Sequence, residues 1–149
     1  MTVDIRSFAP SDEEHVVALW RAAGLVRPWN DPHRDLARAR AVWPELLLVA
    51  ADGGEVVGSV MAGYDGHRGW LYYLATASHR RGEGIGRRLI AEAEARLEAL
   101  GCPKVMLMVR ADNEAVLEYY DAIGYQRETS RLTSRRLIPD ERALNRLGP

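Results

Sequence analysis

A chain of 149 residues that is 47% hydrophobic is the size of one ordinary domain and can close a continuous core without disulfide or metal staples. Its 20 Lys+Arg against 21 Asp+Glu leave a formal net charge of -1, so no global field advertises a nucleic acid or an anionic membrane, and any anion recognition has to be local. The single cysteine, Cys102, excludes an internal disulfide, and with no His or carboxylate near it at ligand spacing no metal site is expected.

Targeting signals are missing too. No apolar run approaches the roughly 18 residues of a membrane span, and Met1–Arg6 lacks the basic and apolar regions of a signal peptide, which points to a cytoplasmic protein with no membrane partner.

In chain order, Thr2 to Phe8 alternates as a first strand. Ser11 followed by Glu14 reads as a capping box, and Val16, Val17, Leu19, Trp20 and Ala23 recur at helical spacing up to Gly24. Asp31 before Pro32 opens a second helix, with Leu36, Ala37, Ala39 and Val42 as its apolar positions. Glu45 to Asp52 and Glu55 to Tyr64, joined by Gly53-Gly54, form a hairpin, and Trp70 to Thr76 a further strand. Gly84 to Leu100 has helical period and ends at Gly101; Lys104 to Arg110 reads as a strand, Asn113 to Ile123 as a helix stopped by Gly124, and Tyr125 to Leu137 as a closing strand before a polar tail from about residue 138. The order β-α-α-β-β-β-α-β-α-β gives an α/β (α+β) fold on one mixed sheet, mostly antiparallel and partly parallel, in a single domain over 1–149.

The stretch Arg80-Arg81-Gly82-Glu83-Gly84-Ile85-Gly86-Arg87 lies between a strand and a long helix. Glycines let backbone N–H groups converge, and a helix start adds unpaired donors and a favourable dipole, so an anion such as phosphate is the natural guest. A P-loop is excluded because no Gly-Lys-Ser/Thr follows, and Gly-x-Gly-x-Gly is not the dinucleotide fingerprint. The alternative is a turn whose glycines only relieve crowding beside solvated arginines.

Arg81-Gly82-Glu83-Gly84-Ile85-Gly86 resembles the Arg/Gln-x-x-Gly-x-Gly/Ala signature of the GNAT superfamily of N-acetyltransferases. Asn113, Tyr120 and Gly124-Tyr125 are similar to a second motif of that family, Asn-x(6)-Tyr-x(3)-Gly-Phe/Tyr. Arg27 to Pro32, Gly63 to Gly69, Tyr72-Tyr73-Leu74 and Gly101 to Lys104 look like the bacterial YpeA-type members.

The resemblance implies transfer of an acetyl group from acetyl-CoA to a primary amine, on a small molecule or a protein N-terminus. Leu74, Ala75 and Thr76 would then offer strand backbone to the acetyl and pantetheine arm. Arg81, Gly82, Glu83, Gly84, Ile85, Gly86 and Arg87 would hold the pyrophosphate, with Asn113 near the pantetheine and Tyr120 near the sulfur. Family members often form homodimers, although no surface stripe here marks such an interface.

N-acetylation needs a neutral amine, a place for the developing oxyanion and a proton for the departing thiolate. A strand N–H, of Leu74 or Ala75, suits the oxyanion, and the Tyr120 phenol suits the sulfur. Some members carry a Glu five positions before the motif Asn; here that position is Met108, so the base is open, with Asp31, Asp65, His33 and His67 as water-relayed candidates. Asp31 also reads as a helix cap and Asp65 as a turn residue. Trp29, Asn30, Asp31 and Tyr64 offer an aromatic wall plus an acid to a cationic amine, and Arg110 offers a guanidinium to a substrate carboxylate. The competing reading, supported by Met108 and opposed by Tyr120, is an acyl-CoA-binding sensor or interaction module that has lost turnover.

Overall fold

The computed structural model describes residues 2–139, so most of the expected polar tail lies outside the described residues. The chain divides into two compact units, Met1–Met106 and Leu107–Pro149. The larger carries β1 (Val3–Ser7), α1 (Glu13–Ala22), α2 (Pro32–Val42), β2 (Leu47–Asp52), β3 (Glu55–Tyr64), β4 (Gly69–Thr76), α3 (Ile85–Ala99) and the start of β5 (Val105–Leu107). The smaller carries α4 (Glu114–Ala122).

The sheet runs β1-β2-β3-β4-β5, and its first three pairings are antiparallel. The helical crossover from β4 through α3 to the neighbouring β5 supplies the parallel element, because a strand–helix–strand connection returns the chain in the same direction. β2 is buried along nearly all of its length, as its unbroken apolar sequence Leu-Leu-Val-Ala-Ala requires of a strand covered on both faces. Leu47 and Val49 join Val16, Val17, Trp20 and Leu36 in a cluster under α1 and α2. Leu48 and Ala50, alternate along the strand, are fully buried on the opposite side, where α3 packs against β2 and β3.

The position of α3 is set by a missing side chain. A Cβ on Gly58 of β3 would stand 2.9 Å from Ile85 Cγ2 and 3.0 Å from Leu89 Cδ1, so only glycine lets the first turn of α3 lie this close to the sheet. Near the other end of α3, a Cβ on Gly69 would meet Cys102 Sγ at 2.9 Å and Leu97 Cδ1 at 3.0 Å. Cys102 is accordingly a buried packing residue.

The first helix starts differently from the Ser11/Glu14 box expected of it. A 3-10 turn, Pro10–Asp12, precedes α1, and Asp12 organises it: its carboxylate accepts from Ala9 N at 2.7 Å and from the Arg6 guanidinium at 2.7 and 3.0 Å. The bidentate geometry explains why a carboxylate only 5% exposed is tolerated. α2 begins as expected, with Asp31 Oδ1 accepting from His33 N at 2.9 Å and Pro32 at the first helical position.

Two expected elements change. β5 is three residues long and ends at Leu107, so Met108 and Arg110 lie beyond it; a turn closed by Asn113 N donating to Arg110 O at 2.9 Å redirects the chain there. No strand forms over Tyr125 to Leu137. Its two leucines, Leu132 and Leu137, are 67% and 86% exposed, so the segment has no continuous face to bury and nothing to offset the entropy of ordering a strand.

Gly58→Ala should lower stability by roughly 1–3 kcal/mol through overpacking against Ile85 and Leu89, read by urea denaturation. Asp12 is held below the ordinary carboxylate value of 3.8, first by its hydrogen bond from Arg6 and then by the Ala9 N–H against an opposing burial cost. That stabilisation is present above 3.8 and lost as pH falls through the lower value of the folded state. Asp12→Asn should therefore flatten the acid limb of a stability-against-pH curve below pH 3.8; an unchanged limb would remove Asp12 from the account.

Candidate active site

Along β3 and β4 the register runs Ser59↔Ala75 and then Met61↔Tyr72, so β4 spends one more residue than β3 over the same stretch. Tyr73 lies in this bulge with φ 53, the one non-glycine residue at positive φ among those described. Three side chains hold it. The Trp20 indole stacks on its ring at 3.8 Å and 9°, and Trp20 Nε1 donates to Ser59 Oγ at 2.8 Å. Ser59 Oγ donates to the Tyr73 carbonyl at 3.1 Å, and the Tyr73 hydroxyl donates to Asp35 Oδ2 at 2.6 Å. Trp20 and Ser59 are completely buried.

Leu74, Ala75 and Thr76 follow the bulge directly. β5 contributes three residues against eight in β4, and Gly69 N donates to Lys104 O at 2.9 Å, which ties the shorter strand to the start of β4. The second half of β4 therefore outruns the three-residue strand beside it.

Beyond Thr76 a 3-10 turn, Ser78–Arg80, leads into the glycine loop, where Gly82 and Gly84 stand at φ 83 and 81. No atom would crowd a Cβ at either, so glycine is needed there for backbone conformation and not for space. Gly84 is the N-cap of α3 and supplies no side-chain acceptor. The first N–H groups of a fifteen-residue helix, at Ile85, Gly86 and Arg87, thus have no side-chain cap.

The arginines divide their work. Arg80 donates to Glu83 at 2.8 Å and to Asp52 at 3.0 Å, which spends its charge on pinning the loop to the end of β2 and gives Glu83 a partner. Arg81 and Arg87 are exposed and have no ion-pair partner among the described residues. Thr76 and Arg81 share the wall of a cavity of about 480 Å³, with Leu19 and Ala22 of α1, Val56 of β3 and His79.

Of the residues expected to receive an acceptor, Trp29 is 40% exposed, Asn30 N donates to Arg27 O, and Asp31 caps α2 with Arg34 Nε 3.7 Å away. The Tyr64 hydroxyl donates weakly to Gly66 O at 3.4 Å, and its carbonyl accepts from Trp43 Nε1 at 2.9 Å. Asp65 accepts from Arg68 N, His67 N and Trp70 Nε1; the two turn N–H groups, Arg68's first, hold its carboxyl below the usual range. It is a turn-forming carboxylate. His33 lies 3.8 Å from Glu13. Asp35 carries no motif or cap signal in the sequence; only its contact with Tyr73 brings it to notice.

In the smaller unit, Asn113 is exposed and caps α4, its Oδ1 accepting from Val116 N at 3.4 Å. Tyr125 N donates to Tyr120 O at 2.9 Å and Gly124 N to Asp121 O at 3.1 Å, with Gly124 at φ 101. This is the two-bond glycine ending of a helix, and it gives the Tyr120…Gly124-Tyr125 spacing a physical basis, since the Tyr120 and Tyr125 rings meet at 5.4 Å. Tyr120 is 8% exposed, and burial, with Tyr119 beside it, pushes its phenol up to about 12. Arg127 returns to Asp121 and Glu114 at 2.9 and 2.7 Å.

Residues 13–125 match the family model described as Acetyltransferase (GNAT) family. An acetyltransferase of Sodalis glossinidius is 49% identical over 140 residues, covering 93% of this chain and 99% of its own. Among solved structures, Ard1 from Thermoplasma volcanium superposes with TM-score 0.74 at 24% identity, over 83% of this chain and 82% of that one, and shares the fold. The NatC complex bound to Gag peptide and CoA gives TM-score 0.73 at 25% identity, over 87% of each chain. Because the family match runs from the start of α1 through the Gly124-Tyr125 helix ending, and a relative nearly half identical aligns almost end to end, the chain belongs to the GNAT family of acetyltransferases.

Proposed function

We propose that the protein moves an acetyl group from acetyl-CoA to a primary amine, on a small molecule or a peptide N-terminus, by direct attack of the amine on the thioester. The observation that carries this reading is the pairing of the uncapped start of α3 with the bulged, partly unpartnered strand that leads to it. Acetyl-CoA fits what is present. Its pyrophosphate needs converging N–H donors and positive charge, and the uncapped N–H groups of Ile85, Gly86 and Arg87 with the exposed Arg81 and Arg87 side chains supply both.

Bound there, acetyl-CoA supplies an activated acyl carbon and a thiolate leaving group. The outer backbone of Leu74, Ala75 and Thr76 receives the pantetheine arm, and the Leu74 or Ala75 N–H holds the thioester oxygen as charge develops on it. Asn113 contributes near the pantetheine. Trp29, Asn30, Asp31 and Tyr64 receive the amine, and Arg110 reads a carboxylate on the acceptor. The reaction uses no metal and takes place in the cytoplasm.

Tyr120 is assigned to the departing sulfur. A phenol held at about 12 stays protonated at every working pH, while a free thiol titrates near 8.5. Complete proton transfer is therefore uphill, and the phenol contributes mainly as a hydrogen-bond donor that strengthens as negative charge gathers on sulfur.

Following thiol release from acetyl-CoA against a panel of amines and peptides tests the reaction. Wild type should respond to at least one acceptor, and Tyr120→Phe should lower kcat by roughly 10²-fold with little change in the KM for acetyl-CoA. Thermal protection by acetyl-CoA with no thiol release for any acceptor would replace this reading with that of a binding module. For the cradle, Gly84→Val, which forces a β-branched residue to φ 81, should abolish the acetyl-CoA-dependent rise in Tm. A full rise in that variant would move the cofactor elsewhere.

A further inference from the structure

The bulge in β4 is connected to the acceptor side of the molecule by one side-chain bond, which neither the glycine loop nor the Tyr120 motif explains. The Tyr73 hydroxyl donates to Asp35 Oδ2 at 2.6 Å, a short hydrogen bond. Asp35 lies in the first turn of α2, where its N–H donates to Asp31 O at 3.1 Å, and Asp31 ends the Arg27–Asp31 segment that carries Trp29 and Asn30. At the other end of the bond, Tyr73 immediately precedes Leu74.

A tyrosine at φ 53 is in a conformation that side chains disfavour, and it persists only where its surroundings over-determine it. Trp20 and Ser59 hold its ring and carbonyl from the core. Asp35 is the only one of its holders carried by the helix that the acceptor segment opens.

We propose that Asp35 is a positioning residue for acetyl transfer: through Tyr73 it holds the β4 bulge in register, so that the acceptor-side helix sets the alignment of the Leu74–Thr76 backbone. The inference rests on the acetyltransferase reading above for the role of that backbone. Burial and the Asp35 carboxylate push the Tyr73 hydroxyl far above its ordinary value, so it remains a donor throughout the working range. The other Asp35 oxygen receives Arg38 Nη1 at 3.4 Å on the solvent side.

Four variants test it. Tyr73→Phe removes the hydroxyl and leaves the stack on Trp20; Asp35→Ala removes the acceptor; Asp35→Asn keeps a carbonyl oxygen in its place; Arg38→Ala is the control. Tyr73→Phe and Asp35→Ala should each lower kcat about tenfold or more with the acetyl-CoA KM nearly unchanged, because small misplacement of reacting groups costs rate before it costs affinity. Asp35→Asn should recover most of that loss, and Arg38→Ala should behave as wild type. In hydrogen exchange, those amides of Leu74–Thr76 that pair with β3 should exchange faster in the Phe and Ala variants and not in Asp35→Asn.

Unchanged kcat and exchange in Tyr73→Phe would overturn the proposal, as would an Asp35→Asn variant as impaired as Asp35→Ala. If wild type acetylates no amine, the acetyltransferase reading fails on that result, and the exchange of residues 74–76 alone decides whether Asp35 positions the strand.

Discussion

Tyr73 stands at φ 53 in the middle of a β-strand, and what holds it there is a lock of three side chains drawn from three other elements. Trp20 of α1 stacks on the ring, Ser59 of β3 grips the carbonyl while accepting the indole N–H, and Asp35 of α2 takes the hydroxyl. Each polar atom of the lock has a partner, as completely buried groups such as Ser59 and Trp20 must. The extra residue changes the direction of β4, and Leu74, Ala75 and Thr76, which the acetyltransferase reading gives to the thioester and its arm, inherit that direction.

The opposite face of the sheet imposes a second constraint that meets the first at the glycine loop. Gly58 admits Ile85 and Leu89 to close contact, and this fixes where α3 starts. Two left-handed glycines then carry the chain into that start without a side-chain cap, while Arg80 spends its charge on Asp52 and Glu83. A helix end left open in this way is an unsatisfied set of donors unless a ligand or water completes it. The loop's arginines therefore have different tasks: Arg80 builds the loop, and Arg81 and Arg87 face outward from it.

The candidate residues that could be read from the sequence are those encoded by local conformation. Gly82, Gly84 and Gly86 at a strand-to-helix turn, Asp31 before Pro32, and Tyr120 four residues before Gly124 each reflect a short-range rule of caps and turns, and such rules need no distant partner. Asp31 and Asp65, considered for proton relay, engage the backbone of their own cap and turn. The Ser11/Glu14 box gave way to Asp12 because Arg6 and Ala9 N–H outweigh what a serine hydroxyl offers.

The class of fold, the order of its elements up to α4 and the family of the chain were all legible in the amino-acid order, because hydrophobic period, caps and glycine spacing are properties of neighbouring residues. Three features were not: that β4 is bulged at Tyr73, that β5 stops at Leu107, and that Tyr125 to Leu137 forms no strand. Strand length and register depend on what lies alongside, so an apolar run such as Val105 to Val109 is compatible with a longer strand until its neighbour is known. For the same reason Asp35 and Tyr73, 38 residues apart, become a pair only when α2 is laid over β4.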